Sequence, residues 1–215
     1  MLRTITAAAS MLAAMAIPAP ALAGPAAPAP PPDQLMIIDV VNANGSGCPL
    51  GTTALTVSPD NTAFTATYSQ YTAQVGPDAG ALDFRKNCQL MLDVKVPSGF
   101  TFAIASADYR GYARLAPGAG AYEAANYYFQ GNSQTTRSRH DFHGPMDSDW
   151  QRADSVGIAS LNFLPCGQRR YLNINTELRV SGGWSNTRRT TSFISMDSTD
   201  AAINTVYRVA WKRCH

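Results

Sequence analysis

The sequence predicts an all-β protein: an antiparallel β-sandwich, jelly-roll or immunoglobulin-like, of about nine or ten short strands with two disulfides. Three observations predict it. Apolar and polar residues alternate with a period of two in several stretches, most clearly in Cys88–Val96 and Leu172–Val180, and a strand turns successive side chains to opposite faces. No stretch after the N-terminal leader sustains the helical period of about 3.6 residues. The four cysteines, Cys48, Cys88, Cys166 and Cys214, form an even set, which in an exported chain reads as a disulfide framework.

Export is read from the first residues. Met1-Leu2-Arg3 brings one positive charge, Ile5 to Ile17 is apolar and rich in small residues, and Ala21-Leu22-Ala23 fits a small-x-small cleavage site. Residues 1–23 are therefore expected to be a secretory signal peptide. The apolar run is shorter than the roughly 20 residues of a membrane-spanning helix, and Pro18 and Pro20 follow it, so no membrane attachment is expected after cleavage. Residues 24–34 read as a Pro/Ala linker, extended and mobile because Pro has no N–H to give a helix or ladder. Residues 35–215 are expected to form one β-sandwich domain. The formal net charge is +2, and Arg3 is the sole charge of the leader, which leaves +1 for the rest. A near-neutral chain lacks the basic face that nucleic acid requires.

The elements follow in order. Leu35 to Val41 reads as the first strand, and Asn42 to Pro49 as a loop rich in turn residues that contains the glycosylation pattern Asn44-Gly45-Ser46. Ala54–Val57 and Thr62–Tyr71 read as two strands around Ser58-Pro59-Asp60-Asn61. The central hairpin pairs Cys88–Val96 with a strand starting at Phe100, reversed by Pro97-Ser98-Gly99. In its second strand Phe100, Phe102 and Ile104 hold the even positions, but after Ala107 the apolar parity moves to Tyr109, Ala113 and Leu115. A slip of one residue predicts a β-bulge or a break. Tyr122–Gln130 is an aromatic strand, Gly131–Arg139 a polar loop or exposed edge, and His140–Pro145 and Trp150 onward short strands. Leu172–Val180, Thr190–Ile194 and Thr205–Arg213 complete the set. Four cysteines allow three pairings. The sequential one, Cys48–Cys88 with Cys166–Cys214, is preferred; each loop of about 40 to 50 residues would contribute roughly 4 kcal/mol by loop entropy. No two cysteines have the C-x-x-C spacing of a structural zinc site.

A set of short motifs spans the chain from about Val40 to Cys214: Gly47-Cys48-Pro49, Lys86-Asn87-Cys88, Pro97-Ser98-Gly99-Phe100, Asp108-Tyr109-Arg110-Gly111-Tyr112-Ala113, Pro165-Cys166-Gly167, Leu172-Asn173-Ile174-Asn175-Thr176, and Met196-Asp197-Ser198-Thr199-Asp200 before Trp211 and Cys214. Together they resemble a family of small exported proteins known as domain of unknown function 4360. The resemblance implies a secreted β-rich domain with all four cysteines in place. It implies no activity and no catalytic residue.

Candidate chemistry is sparse. His140-Asp141-Phe142-His143 is the densest ionisable set, but on a strand the two histidines face opposite ways, so a solvated loop is the better reading. Asp197 and Asp200 could give oxygen ligands to Ca²⁺; the segment lacks the alternating acids and closing Glu of an EF-hand and reads better as an Asx-stabilised turn. No metal site and no cofactor beyond that possible Ca²⁺ is expected. Asp108, Tyr109 and Arg110 are a binding constellation or a structural Asp–Arg pair at the bulge. Tyr109, Tyr112, Tyr122, Tyr127 and Tyr128, with Arg110 and Arg114, concentrate aromatics and cations in one stretch. Exposed, they would make a platform for sugar rings or a protein partner; buried, they are core. There is no G-x-S-x-G elbow. The expected role is thus a non-catalytic extracellular recognition or structural module for a glycan or protein. The alternative is a secreted hydrolase using a carboxylate pair, with Asp108 or Asp141 among its acids.

Overall fold

The computed structural model of the protein describes residues 28–157, 161–196 and 204–214. The expected leader lies outside them, as do Asp197 and Asp200. The described residues form twelve strands and no helix: β1 (Ile37–Asn44), β2 (Thr53–Val57), β3 (Ala63–Tyr68), β4 (Thr72–Val75), β5 (Arg85–Lys95), β6 (Phe100–Leu115), β7 (Gly120–Phe129), β8 (Thr136–His143), β9 (Met146–Ser155), β10 (Leu172–Ser181), β11 (Ser192–Ser195) and β12 (Thr205–Arg213). They build two antiparallel sheets. One has five strands in the order β1-β5-β10-β7-β8; the other has seven, β2-β3-β12-β6-β11-β4, with β9 on the free edge of β6. The sandwich class holds, with twelve strands in place of nine or ten.

The differences have local causes. The stretch Thr62–Tyr71 is two elements. A bend at Ser69-Gln70 lets Tyr71 turn fully inward and sends β4 to pair with β11 at the opposite edge of the same sheet. Asn42 to Asn44 belong to β1, not to a loop. The register passes from Val40↔Leu92 to Asn42↔Met91, so Val41 is a bulge residue that resets the parity. Thr136–Arg139, the end of the segment read as a polar loop or exposed edge, and the His140-Asp141-Phe142-His143 set are one edge strand, β8; the set is not the solvated loop expected for it. Its polarity reflects an outward face and an open edge. The parity slip in β6 is a bulge: Arg208 pairs with Ser106 and Val209 with Ile104, which leaves Ala105 unopposed.

The core lies between the sheets. Odd residues of β7 and even residues of β10 and β5 face inward, where Leu90, Leu92, Ile174 and Leu178 are fully buried. Aromatic pairs cross the layers: Phe102 with Phe129, Tyr127 with Tyr207, Tyr109 with His140. Tyr71 Oη and Thr176 Oγ1 share a buried hydrogen bond of 2.9 Å across the interior. The disulfides are Cys48–Cys88 and Cys166–Cys214, the sequential arrangement. The Pro/Ala segment is held from Ala29 onward. Ala29 N donates to Trp211 O, and Asn61 accepts from Met36 N while its amide donates to Pro32 O and Gln34 O. Asn61 takes φ 57°, a left-handed conformation that Asn tolerates, and its buried side chain is the clamp.

Candidate functional site

The aromatic stretch that reads as one patch is divided among three places, because β6 and β7 are consecutive in sequence but lie in opposite sheets. Tyr109 and Tyr127 point into the core. Tyr112, with Asp108, Arg110 and Arg114, lies on the outer face of the seven-stranded sheet. There Asp147 accepts from the Tyr112 hydroxyl and from Arg114 Nε at 3.2 Å, and Arg114 lies over Phe193. Asp108 is paired with Arg208 of β12 and not with Arg110. Tyr122 and Tyr128 lie half-buried on the outer face of the five-stranded sheet. Asp108 and Asp141 thus sit on opposite outer faces of the sandwich.

The ionisable set of β8 is also separated by strand geometry. Asp141 faces out and pairs with Arg139 at 2.7 Å. His140 faces in, and its Nε2 lies 2.8 Å from Asp154 Oδ1, while Tyr109 donates to Asp154 Oδ2 at 2.9 Å. This trio ties β6, β8 and β9 together where the two sheets meet. Further inside is Glu123, fully buried, with both carboxylate oxygens unpartnered. Burial, reinforced by the charge of Asp154, pushes its carboxyl well above the usual Glu range. Among the described residues no group of three or more His, Cys, Asp and Glu side chains gathers as a metal site.

The outer face of the five-stranded sheet carries a broad recess. Strand register sets its side chains in rows. One row runs Asn44, Gln89, Asn175, Asn126, Arg137 across five strands. The next runs Asn87, Glu177, Ala124, Arg139, and Asn42, Met91, Asn173, Tyr128 flank the amide row on its other side. Rows two residues apart are spaced about 7 Å along the strands, and neighbours within a row about 5 Å. The methyl group of Ala124, between the long side chains of Glu177 and Arg139, leaves a floor. The result is a groove of about 660 Å³.

The walls of the groove are fixed by charge-assisted bonds. Glu177 Oε2 accepts from Arg85 Nε at 2.7 Å, and Oε1 accepts from the Tyr122 hydroxyl at 2.5 Å. Partial burial pushes the Glu177 carboxyl up, but these bonds and the Arg85 charge outweigh it and hold the group below the usual Glu range. The Arg139 guanidinium lies 3.8 Å over the centre of the Tyr122 ring, so one face of that ring is already covered. Asn126 accepts a hydrogen bond from Thr135, which leaves its amide donors available. Asn175 Oδ1 is buried and has no partner.

Of the residues read from the sequence as binding candidates, Tyr122 lines this groove, beside Cys88 and the motif residues Asn87, Asn175 and Thr176. Gln89, Asn126 and Arg137 were legible only as the polar half of alternating strands, and Asn175 as that and as part of a motif. The available signal was the amide content of those outward positions: Asn42, Asn44, Asn87, Gln89, Asn126, Asn173 and Asn175.

A family model matches residues 34–214, nearly all of the described fold. The chain belongs to the family described as domain of unknown function (DUF4360). A relative from Arthroderma benhamiae, named as an uncharacterized secreted protein, is 37% identical over 186 residues, which cover 86% of this chain and 74% of the relative. The member described here is likewise a secreted protein, and its two disulfides fit an oxidising exterior. Among solved structures, the enzymatically active domain of a bacteriophage CBA120 tailspike protein aligns at TM-score 0.28 and 10% identity, covering 82% of this chain and 20% of that one.

Proposed function

We propose that this family member is a non-catalytic extracellular module that binds carbohydrate in the groove on the outer face of its five-stranded sheet. The observation that carries the reading is the amide row Gln89, Asn175, Asn126 at the groove floor. Sugar hydroxyls both donate and accept, and a side-chain amide offers both functions without charge. A grid of amides borne on paired strands presents them at the fixed spacing of the sheet. Tyr122 contributes the edge of its ring as one wall; its stacking face is taken by Arg139. A glycan array probed with the folded protein tests the reading, with the double variant Asn126→Ala/Asn175→Ala as the comparison. Binding to at least one class of polysaccharide, reduced about tenfold or more in the double variant, is the expected result. An array with no bound glycan, or equal binding by the variant, overturns it.

A further inference from the structure

The charge of the groove narrows the ligand, on the premise that the carbohydrate reading holds. Three guanidiniums, Arg85, Arg137 and Arg139, and one carboxylate, Glu177, line it, an excess of two positive charges in a chain whose overall charge is close to zero. The arginines are not equivalent. Arg85 is neutralised by Glu177, and Arg139 by Asp141 at the rim. Arg137 is exposed and forms no ion pair with any described carboxylate. It stands at the end of the amide row, directly opposite Asn126. Its free guanidinium fork is the one part of the groove that amide chemistry does not explain.

We propose that the groove takes carbohydrate bearing carboxylate groups, uronate polymers above all, and that Arg137 receives the carboxylate while the amides beside it read the hydroxyls. A guanidinium presents two parallel N–H donors that match the two oxygens of a carboxylate. Along a β-sheet the amides can satisfy hydroxyls, but they cannot neutralise an anion. The surplus charge of the groove would therefore be idle against a neutral polysaccharide and complementary to an acidic one.

Calorimetric titration separates this from the parent reading. The probes are polygalacturonate, the same polymer fully methyl-esterified, a neutral glucan and dextran sulfate, each against the wild-type chain, Arg137→Gln and Arg137→Lys. Wild type is expected to bind polygalacturonate about ten- to a hundredfold more tightly than its ester, with affinity falling as salt rises. Arg137→Gln should lose that preference while keeping the weaker binding to the ester, and Arg137→Lys should retain only part of it. Equal binding of the acid and ester forms by wild type, or an unchanged preference in Arg137→Gln, overturns the assignment and leaves the carbohydrate reading standing. A preference for dextran sulfate over polygalacturonate overturns the carboxylate class. Binding to none of the four overturns the carbohydrate reading and this inference together.

Discussion

Glu123→Gln isolates a buried carboxyl with no partner in the interior. The wild-type side chain is fully buried and neither carboxylate oxygen has a partner. Burial raises its titration, and the charge of Asp154 adds to that. Its folded pKa therefore lies above its unfolded value. A group shifted in that direction contributes its full stability below the unfolded pKa, near 4.5, and that contribution is lost as pH rises towards the folded pKa. Within that window each pH unit costs about 1.4 kcal/mol, the free energy of one proton held by the fold and released by the unfolded chain. The amide keeps the shape and removes the proton linkage. Urea denaturation of both proteins from pH 4 to pH 8 measures the difference. Near pH 4 the offset between the two should be at its smallest. Above it the variant should gain on wild type by up to about 1.4 kcal/mol per pH unit until the gap levels off. The exposed carboxylates held low by arginine, lysine or tyrosine, such as Asp141 and Asp147, lose stability in the opposite sense as pH falls. They are common to both proteins and leave the difference untouched. Two parallel curves would refute the claim that Glu123 is held neutral in the fold.

Three further outcomes are expected. Tyr71→Phe leaves Thr176 Oγ1 without its 2.9 Å partner in the interior and should cost about 1–3 kcal/mol in denaturant unfolding; adding Thr176→Val should recover part of that loss, and a purely additive double variant would show that the bond is not formed. Gly111→Ala would place a Cβ 1.9 Å from Ser195 O and 2.5 Å from the Trp150 ring, so β11 or Trp150 must move and stability should fall by about 1–3 kcal/mol, a change in thermal midpoint being the check. Cys166→Ser/Cys214→Ser opens a crosslink of sequence separation 48 and should cost roughly 4 kcal/mol by loop entropy; a loss under 1 kcal/mol by the same measurement would show that the unfolded chain is not what the bridge constrains.

Most of the fold was legible because its signals are local. The alternation in Leu172–Val180 reports β10 directly, and the parity slip after Ala107 reports the bulge at Ala105. The disulfide pairing is the sequential one, preferred in the sequence among three that it allowed. What was not legible depends on which strands meet. Tyr109, Tyr112, Tyr122 and Tyr128 are close in sequence, yet the turn between β6 and β7 crosses from one sheet to the other, so Tyr109 and Tyr112 are parted from Tyr122 and Tyr128, which alone share a face. His140 and Asp154 belong to strands of different sheets, and only the folded register brings them to 2.8 Å. The groove is the extreme case: Gln89, Asn126, Arg137 and Asn175 come from four strands whose order, β5-β10-β7-β8, is not the order of the sequence. Each is unremarkable alone as the polar half of a strand. Their meaning lies in adjacency across the ladder, which a period of two cannot encode.

The framework that sequence did disclose bears directly on that groove. Cys88 points inward between Asn87 and Gln89, which point outward, so the Cys48–Cys88 bridge anchors the strand that forms one wall. The loop it secures adds backbone contacts at the same place: Gly47 N donates to Asn87 O, and Ser46 Oγ accepts from Asn87 N. A side chain at Gly45 would meet Asn87 O at 2.1 Å, and its φ of 137° is one that glycine alone adopts readily. On the far side, β8 is an edge strand held by Arg139 over Tyr122 and by the inward His140–Asp154 contact. The recess is thus pinned at both walls, by a covalent bond on one and by a charged network on the other, while its amide floor sits on the central strands β10 and β7. The convergence of these constraints on one face, with the opposite outer face tied up in its own Asp147 and Arg208 pairs, is the reason to look for the ligand there.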